Sequence, residues 1–125
     1  MSSWIRLYRS ITDSAVFDEP EVLKVWIWIL CRASYRKDKM VMGRESVDVL
    51  PGQFPCSRKK AAKELKMTES KFYRIIKLLE EMGCITIETN SKYSKFFVVK
   101  WEFFQGEYIK SEQRANSQRT AGEQQ

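Results

Sequence analysis

Basic side chains are concentrated in one short stretch of the sequence, residues 57–77. The stretch holds eight Lys and Arg residues against two acidic ones, and this surplus of six positive charges equals the net charge of +6 of the whole chain. Its basic residues are Arg58, Lys59, Lys60, Lys63, Lys66, Lys71, Arg74 and Lys77. Because Lys and Arg at this density are typical of phosphate binding, the stretch predicts a nucleic-acid interface. A solvated helical face is the alternative, since most runs of charge are of that kind.

Few residues of the sequence could support catalysis, metal binding or disulfide formation. The sequence contains no His, which removes the commonest general base and every zinc site that needs an imidazole. The three cysteines, Cys31, Cys56 and Cys84, are far apart and never in a CxxC spacing, so neither a metal site nor a disulfide framework is predicted. The carboxylates are scattered. We therefore expect a protein that is not an enzyme, with no cofactor, no metal and no small-molecule substrate.

Length and apolar patterning predict a single domain in the cytoplasm. The chain has 125 residues, of which 43% are hydrophobic and 30% charged. It begins without an apolar leader, and its longest apolar run, Val25 to Cys31, has seven residues, whereas a membrane span needs about 20. We expect neither a signal peptide nor a membrane partner. The unpaired cysteines favour a reducing compartment.

Two short helices in tandem are predicted to carry the cations. Ser57 and Thr68 are good N-cap residues, only Lys66 and Met67 separate the helices, and Gly83 follows the second at the C′ position. Apolar residues recur at helical spacing within each. They are Ala61, Ala62 and Leu65 in the first helix and Phe72, Ile75, Ile76 and Leu79 in the second. These apolar faces are expected to join the core.

The same periodicity turns six residues of the second helix outward, and all six are predicted as DNA-binding candidates. They are Glu69, Ser70, Lys71, Tyr73, Arg74 and Lys77. Arg74 and Ser70 are predicted to read bases, because the first turns of a recognition helix reach base edges and Arg pairs bidentately with guanine. Five further cations of the two helices are predicted to contact phosphates. They are Arg58, Lys59, Lys60, Lys71 and Lys77.

A β-hairpin is predicted directly after the helix pair. Residues 84–89 and 95–100 are β-type runs joined by a polar segment, and the tip residues Lys92, Tyr93 and Lys95 are predicted to touch the DNA backbone or minor groove. Two helices with a tight turn, followed by a hairpin, make a winged helix-turn-helix, an α+β and mainly helical fold. Such folds also serve as protein-interaction modules, and a Lys or Tyr at a hairpin tip is often only solvated.

The residues before Ser57 predict a helical extension. Trp4, Leu7, Tyr8 and Ile11 recur at helical spacing, and a second helix is expected from Pro20 to about residue 34. A small hairpin around Gly43 and a short edge strand over residues 53–56 should follow. The domain is predicted to span residues 1–104, with the aromatic residues at 101, 103 and 104 folding back on the core. Residues 105–125 predict a polar tail without regular structure.

The second helix of this extension is apolar nearly all round. An inward stripe is supplied by Leu23, Trp26, Ile27 and Leu30. Val25, Trp28 and Ile29 are therefore predicted to face a second copy of the chain, which makes a homodimer. Coverage of these residues from within the chain is the alternative.

Several motifs together resemble one family, the N-terminal domain of DnaD-like proteins and phage replisome organisers. The segments that carry the resemblance are Trp4 to Ile11, Phe17 to Pro20, Leu23 to Leu30, Pro51 to Phe54, Ser57 to Lys59, Leu65 to Lys71, Leu79 to Ile85 and Val99 to Glu102. The resemblance covers roughly residues 4–104. It implies a winged-helix domain from a phage, plasmid or other mobile element that binds double-stranded DNA, self-associates and acts in replication initiation.

Two departures from the family pattern carry expectations of their own. The family usually has Gly in the turn where this chain has Lys66, so a left-handed residue is expected there at a cost of about 1 kcal/mol. The family also continues into a second domain, whereas only a short polar tail follows here. A truncated chain and a stand-alone domain are both open. The alternatives to replication are a transcriptional regulator and a winged-helix interaction module that binds or inhibits a host or phage protein, so a replication or host protein is a further possible partner.

Overall fold

A computed structural model describes residues 4–106 of the chain. Within that range the chain forms four α-helices and two small antiparallel sheets, so the predicted α+β class is confirmed. The helices are α1 (Pro20–Arg32), α2 (Arg58–Leu65), α3 (Glu69–Glu81) and α4 (Trp101–Gln105). The strands are β1 (Asp38–Met42), β2 (Glu45–Val49), β3 (Gln53–Cys56), β4 (Ile85–Thr89) and β5 (Ser94–Val98). None of the helices in this range has the length and apolar character that crossing a bilayer requires.

The N-terminal segment differs from the predicted amphipathic helix. Only two short 3₁₀ helices form, Arg9–Asp13 and Ala15–Asp18, and the Ser14 hydroxyl between them accepts a hydrogen bond from the Val16 amide at 3.2 Å. The preceding residues 4–8 form neither a helix nor a strand, and the Arg6 backbone forms two hydrogen bonds with the Gln105 side chain, at 2.8 and 2.7 Å. Two of the residues predicted to face inward, Trp4 and Leu7, are 67% and 53% exposed.

Helix α1 matches the prediction in extent but not in orientation. It begins at Pro20 and ends at Arg32. Val25 and Ile29 have no exposed surface. Trp28 packs edge-on against Phe54 of β3 and Phe72 of α3, with ring centroids 5.6 and 6.0 Å apart. The prediction that Val25, Trp28 and Ile29 face a second copy is therefore wrong, because α3 and the sheet cover this face from within the chain.

The two sheets confirm both predicted hairpins and the edge strand. Strand β1 pairs with β2, and the second sheet has the order β3-β5-β4. Pro55 of β3 lies opposite Lys95 of β5. Pro has no amide N–H to donate, and this is tolerated in β3 because it is an edge strand. Aromatic rings join the sheet to the helices within a largely aliphatic core, since Phe96 of β5 stacks on Phe72 of α3 at a centroid distance of 6.4 Å.

The end of the described chain closes one side of the core. Trp101 is buried as predicted, and it packs so tightly over Gly52 that a Cβ there would lie 2.7 Å from the Trp101 Cβ. Phe103 and Phe104 are only partly buried, and Phe104 contacts Tyr8 edge-on at 5.1 Å. Helix α4 extends through Gln105, one residue beyond the predicted domain boundary. From residue 107 onward the predicted tail lies outside the described residues.

Capping side chains and left-handed backbone residues mark the ends of α2 and α3. The Ser57 hydroxyl accepts from the Lys60 amide and the Thr68 hydroxyl from the Lys71 amide, so both predicted caps are confirmed. Lys66 adopts the left-handed conformation, with φ 60° and ψ 49°, and Gly83 ends α3 with φ 81°. Lys66 thus has the left-handed backbone that was expected at the position where the family that the sequence resembles usually has Gly.

Candidate nucleic-acid interface

Helix α3 divides into a buried and an exposed face along the predicted lines. Phe72, Ile75, Ile76 and Leu79 are all buried in the core. Of the six residues predicted to face outward, Lys71 is half-buried and the rest are exposed. The exposed five are Glu69, Ser70, Tyr73, Arg74 and Lys77. The core contacts therefore hold α3 with its polar face directed at solvent.

One side of α3, which we call the α1 flank, is lined by carboxylates of α1. Lys71 Nζ lies 2.9 Å from Glu21 Oε2, and Arg74 Nη2 lies 3.7 Å from Glu19 Oε1. The hydrogen bond from Lys71 holds the pKa of Glu21 below its ordinary value of 4.5. Sequence reasoning missed both carboxylates because they lie about 50 residues from their partners. A phosphate that approached Lys71 or Arg74 would have to compete with them.

The neighbouring side of α3, which we call the α2 flank, has two cations against one aromatic ring. The guanidinium of Arg58 lies over the ring of Tyr73 at 4.4 Å from its centroid, and Lys77 Nζ approaches the same ring at 5.9 Å. Lys77 also donates to Glu80 Oε1 at 2.9 Å, and this bond raises the pKa of Lys77. Because Arg58 is the first residue of α2, the stack joins α2 to α3.

The remaining cations of α2 are open to solvent, and α1 adds to the positive charge near them. Lys59 and Lys60 are exposed in the first turn of α2. Glu64, one of the two acidic residues of the stretch, forms an ion pair with Arg32 of α1. Lys24 of α1 donates to the Leu65 carbonyl at 2.7 Å, which caps the C-terminal end of α2. Arg32 and Lys24 are two further cations that the sequence pattern did not indicate.

The tip of the β4–β5 hairpin is bound to the β1–β2 hairpin. The Asn90 side chain accepts from the amides of Lys92 and Tyr93, at 2.7 and 2.8 Å, and so shapes the tip. Lys92 forms an ion pair with Glu45 of β2. Lys95 lies within β5 rather than at the tip. Of the three residues predicted to contact DNA here, only Lys92 and Tyr93 belong to the tip, and Lys92 has an internal anionic partner.

Two of the three cysteines, Cys56 and Cys84, are at least partly buried. Burial raises the pKa of the Cys56 thiol to about 12 and also raises that of Cys84. Both thiols are therefore protonated at neutral pH, and a thiol is a much weaker nucleophile and metal ligand than a thiolate. The charged faces of α2 and α3 are left as the feature that invites a functional explanation.

Comparison of the chain with known protein families, with curated proteins and with solved structures finds no match in any of the three. The functional argument accordingly depends on the residues themselves.

Proposed function

We propose that this chain is a winged helix-turn-helix protein that binds double-stranded DNA, with α3 as the recognition helix. The order of elements supports this proposal, because α2, a three-residue turn, α3 and the β4–β5 hairpin follow one another as in that fold. The observation that carries the proposal is the placement of the basic stretch. Its apolar helix faces are in the core, while seven of its eight cations are exposed.

The physical basis of binding is the fit of a helix to the major groove. The groove of B-DNA is about 12 Å wide and admits an α-helix, so the exposed face of α3 would lie against base edges. Lys59 and Lys60 at the start of α2 would then meet the backbone, as the first helix of such a pair crosses it. The resemblance to DnaD-like proteins and phage replisome organisers supports a role in replication initiation of a mobile element, in the cytoplasm. All of these contacts with the duplex come from one copy of the chain.

Salt-dependent binding of a fluorescent duplex of random sequence tests the proposal. If four to six of the cations on α2 and α3 neutralise phosphates, log K should fall with log[salt] at a slope of about −3.6 to −5.4, or −0.9 per contact. A double variant, Lys59→Gln with Lys60→Gln, should reduce the magnitude of that slope by about 2.

A control with the same change in charge is available on the β1–β2 hairpin. Lys37 and Arg44 are exposed there. Lys37→Gln with Arg44→Gln should leave both affinity and slope nearly unchanged. Equal effects of the two double variants would show that only net charge matters, and absence of binding at about 50 mM salt would contradict the proposal.

A further inference from the structure

The most distinctive contact on the exposed surface is the stack of Arg58 on Tyr73. Tyr73 is 42% exposed in the second turn of α3, and Arg58 lies over its ring at 4.4 Å. Contact between a guanidinium and an aromatic face is attractive and restrains an otherwise flexible side chain. The stack therefore fixes the guanidinium of Arg58 beside the part of α3 that would enter the groove.

Arg58 differs from Arg74 in what occupies its hydrogen-bonding edge. Arg74 faces the Glu19 carboxylate at 3.7 Å. Among residues 4–106, Arg58 has no ion pair with a carboxylate, and its guanidinium contacts the Tyr73 ring. Stacking engages the plane of a guanidinium and leaves its N–H groups, which point outward in that plane, open to an acceptor pair. Two parallel acceptors are what guanine presents in the major groove, at O6 and N7.

We infer that Arg58, held by Tyr73, is the residue that reads a guanine in the bound duplex, and that Arg74 is not. This inference rests on the proposed DNA binding, and it exchanges the roles that the sequence predicted for the two arginines. Tyr73 acts here as a positioning residue. Its ring restrains Arg58, and its hydroxyl is not needed for that.

The test begins with selection of duplexes from a randomised pool by the wild-type protein, followed by affinity measurements on the selected site. We expect an enriched G, and replacing that G by A should weaken wild-type binding by roughly 5- to 150-fold, the range of one bidentate contact. Replacing it by 7-deazaguanine, which lacks the N7 acceptor, should produce part of that loss.

The variants separate reading from charge. Arg58→Lys keeps the charge but not the planar pair of donors, so it should abolish the preference for G while changing the affinity for random duplex by less than about threefold. Tyr73→Phe should retain the preference and Tyr73→Leu should reduce it. Arg74→Lys, the matched control, should retain it. Circular dichroism melting curves that coincide with the wild-type curve establish that each variant is folded.

The outcomes distinguish this inference from the proposed function. Unchanged preference in Arg58→Lys would overturn the inference while leaving DNA binding in place, and so would loss of preference in Arg74→Lys alone. A wild-type protein that binds duplex but enriches no base would do the same. Failure of the wild-type protein to bind any duplex at low salt would overturn both.

Discussion

Both the α1 flank and the α2 flank of α3 carry basic side chains, but the two flanks differ in how many of these cations are paired with a carboxylate. On the α1 flank, Lys71 and Arg74 each face a carboxylate from α1, so two positive and two negative charges cancel. On the α2 flank, Arg58 and Lys77 share one ring and one carboxylate, which leaves one positive charge. Cations that look equivalent in the sequence therefore differ in how readily they can meet a phosphate.

This difference has a direct consequence for the energetics of DNA binding. A phosphate on the α1 flank must displace an existing partner, so its gain is the difference between two ion pairs. A phosphate near Lys59 and Lys60 replaces only water and counterions. We therefore expect the α2 flank, together with the start of α2, to supply most of the salt-dependent affinity.

The largest effect is expected from removing the packing that creates the α1 flank. Trp28 lies between Phe54 and Phe72, and Trp28→Glu would place a charge against these rings. We expect a loss of about 3 kcal/mol or more in the free energy of unfolding, seen as a lower thermal midpoint. Leu7→Glu, at a side chain that is 53% exposed, is the control and should melt like wild type. A Trp28→Glu protein with a wild-type midpoint would mean that α1 does not pack on α3 in this way.

A smaller and opposite effect is expected from neutralising the two carboxylates. Glu19→Gln with Glu21→Gln frees Arg74 and Lys71, and it removes two negative charges that repel DNA. Exposed pairs of this kind contribute about 0.2 to 1 kcal/mol each, so duplex affinity should rise roughly 2- to 30-fold, with a steeper salt dependence.

The matched control for this double variant lies on the β1–β2 hairpin. Asp38 and Asp48 also form ion pairs, with Arg36 and Lys39 respectively. Asp38→Asn with Asp48→Asn makes the same change in net charge away from α3, and it should raise affinity much less. If the two double variants raised affinity equally, the special position of Glu19 and Glu21 would be refuted.

The smallest effect is expected in the pH dependence of stability. Glu21 has a pKa below 4.5 in the folded chain because it accepts a hydrogen bond from Lys71. Its contribution to stability is thus complete above the unfolded pKa and is lost as the pH falls through the folded pKa. In urea, Glu21→Gln should unfold at a slightly lower midpoint than wild type at pH 7 and at the same midpoint near pH 2. Glu81→Gln should show no difference at either pH, and a Glu21→Gln deficit that persists in acid would point to a cause other than charge.

Local signals in the sequence predicted where α2 and α3 begin and end. Ser57, Thr68 and Gly83 mark helix ends through interactions within a few residues, so the bounds of α2 and α3 could be predicted. The orientation of α1 could not be, because a helix that is apolar nearly all round has no single hydrophobic stripe. In the N-terminal segment, the Arg6 backbone is hydrogen-bonded to Gln105, a partner 99 residues away that no local pattern indicates.

The residues of the candidate site could be predicted from the sequence, but their ion-pair and ring partners could not. The exposed residues of α3 follow from the 3.6-residue period. Which cations are occupied depends on how α1 and α2 lie beside α3, and three of the contacts join α3 to another element: Glu19 with Arg74, Glu21 with Lys71, and Arg58 with Tyr73. No spacing rule within one helix reveals such contacts.

Titration of the ¹⁵N-labelled protein with a short duplex, followed by amide chemical shifts, tests the central claim most directly. Binding of DNA by the α2–α3 surface predicts that the largest shift changes fall on residues 57–60 and on exposed positions of α3 such as Ser70 and Tyr73. Residues 4–18 should change little, and the changes should reverse on addition of salt. Shift changes confined to the N-terminal segment or to the β1–β2 hairpin, or none at a saturating concentration of duplex in low salt, would contradict the account.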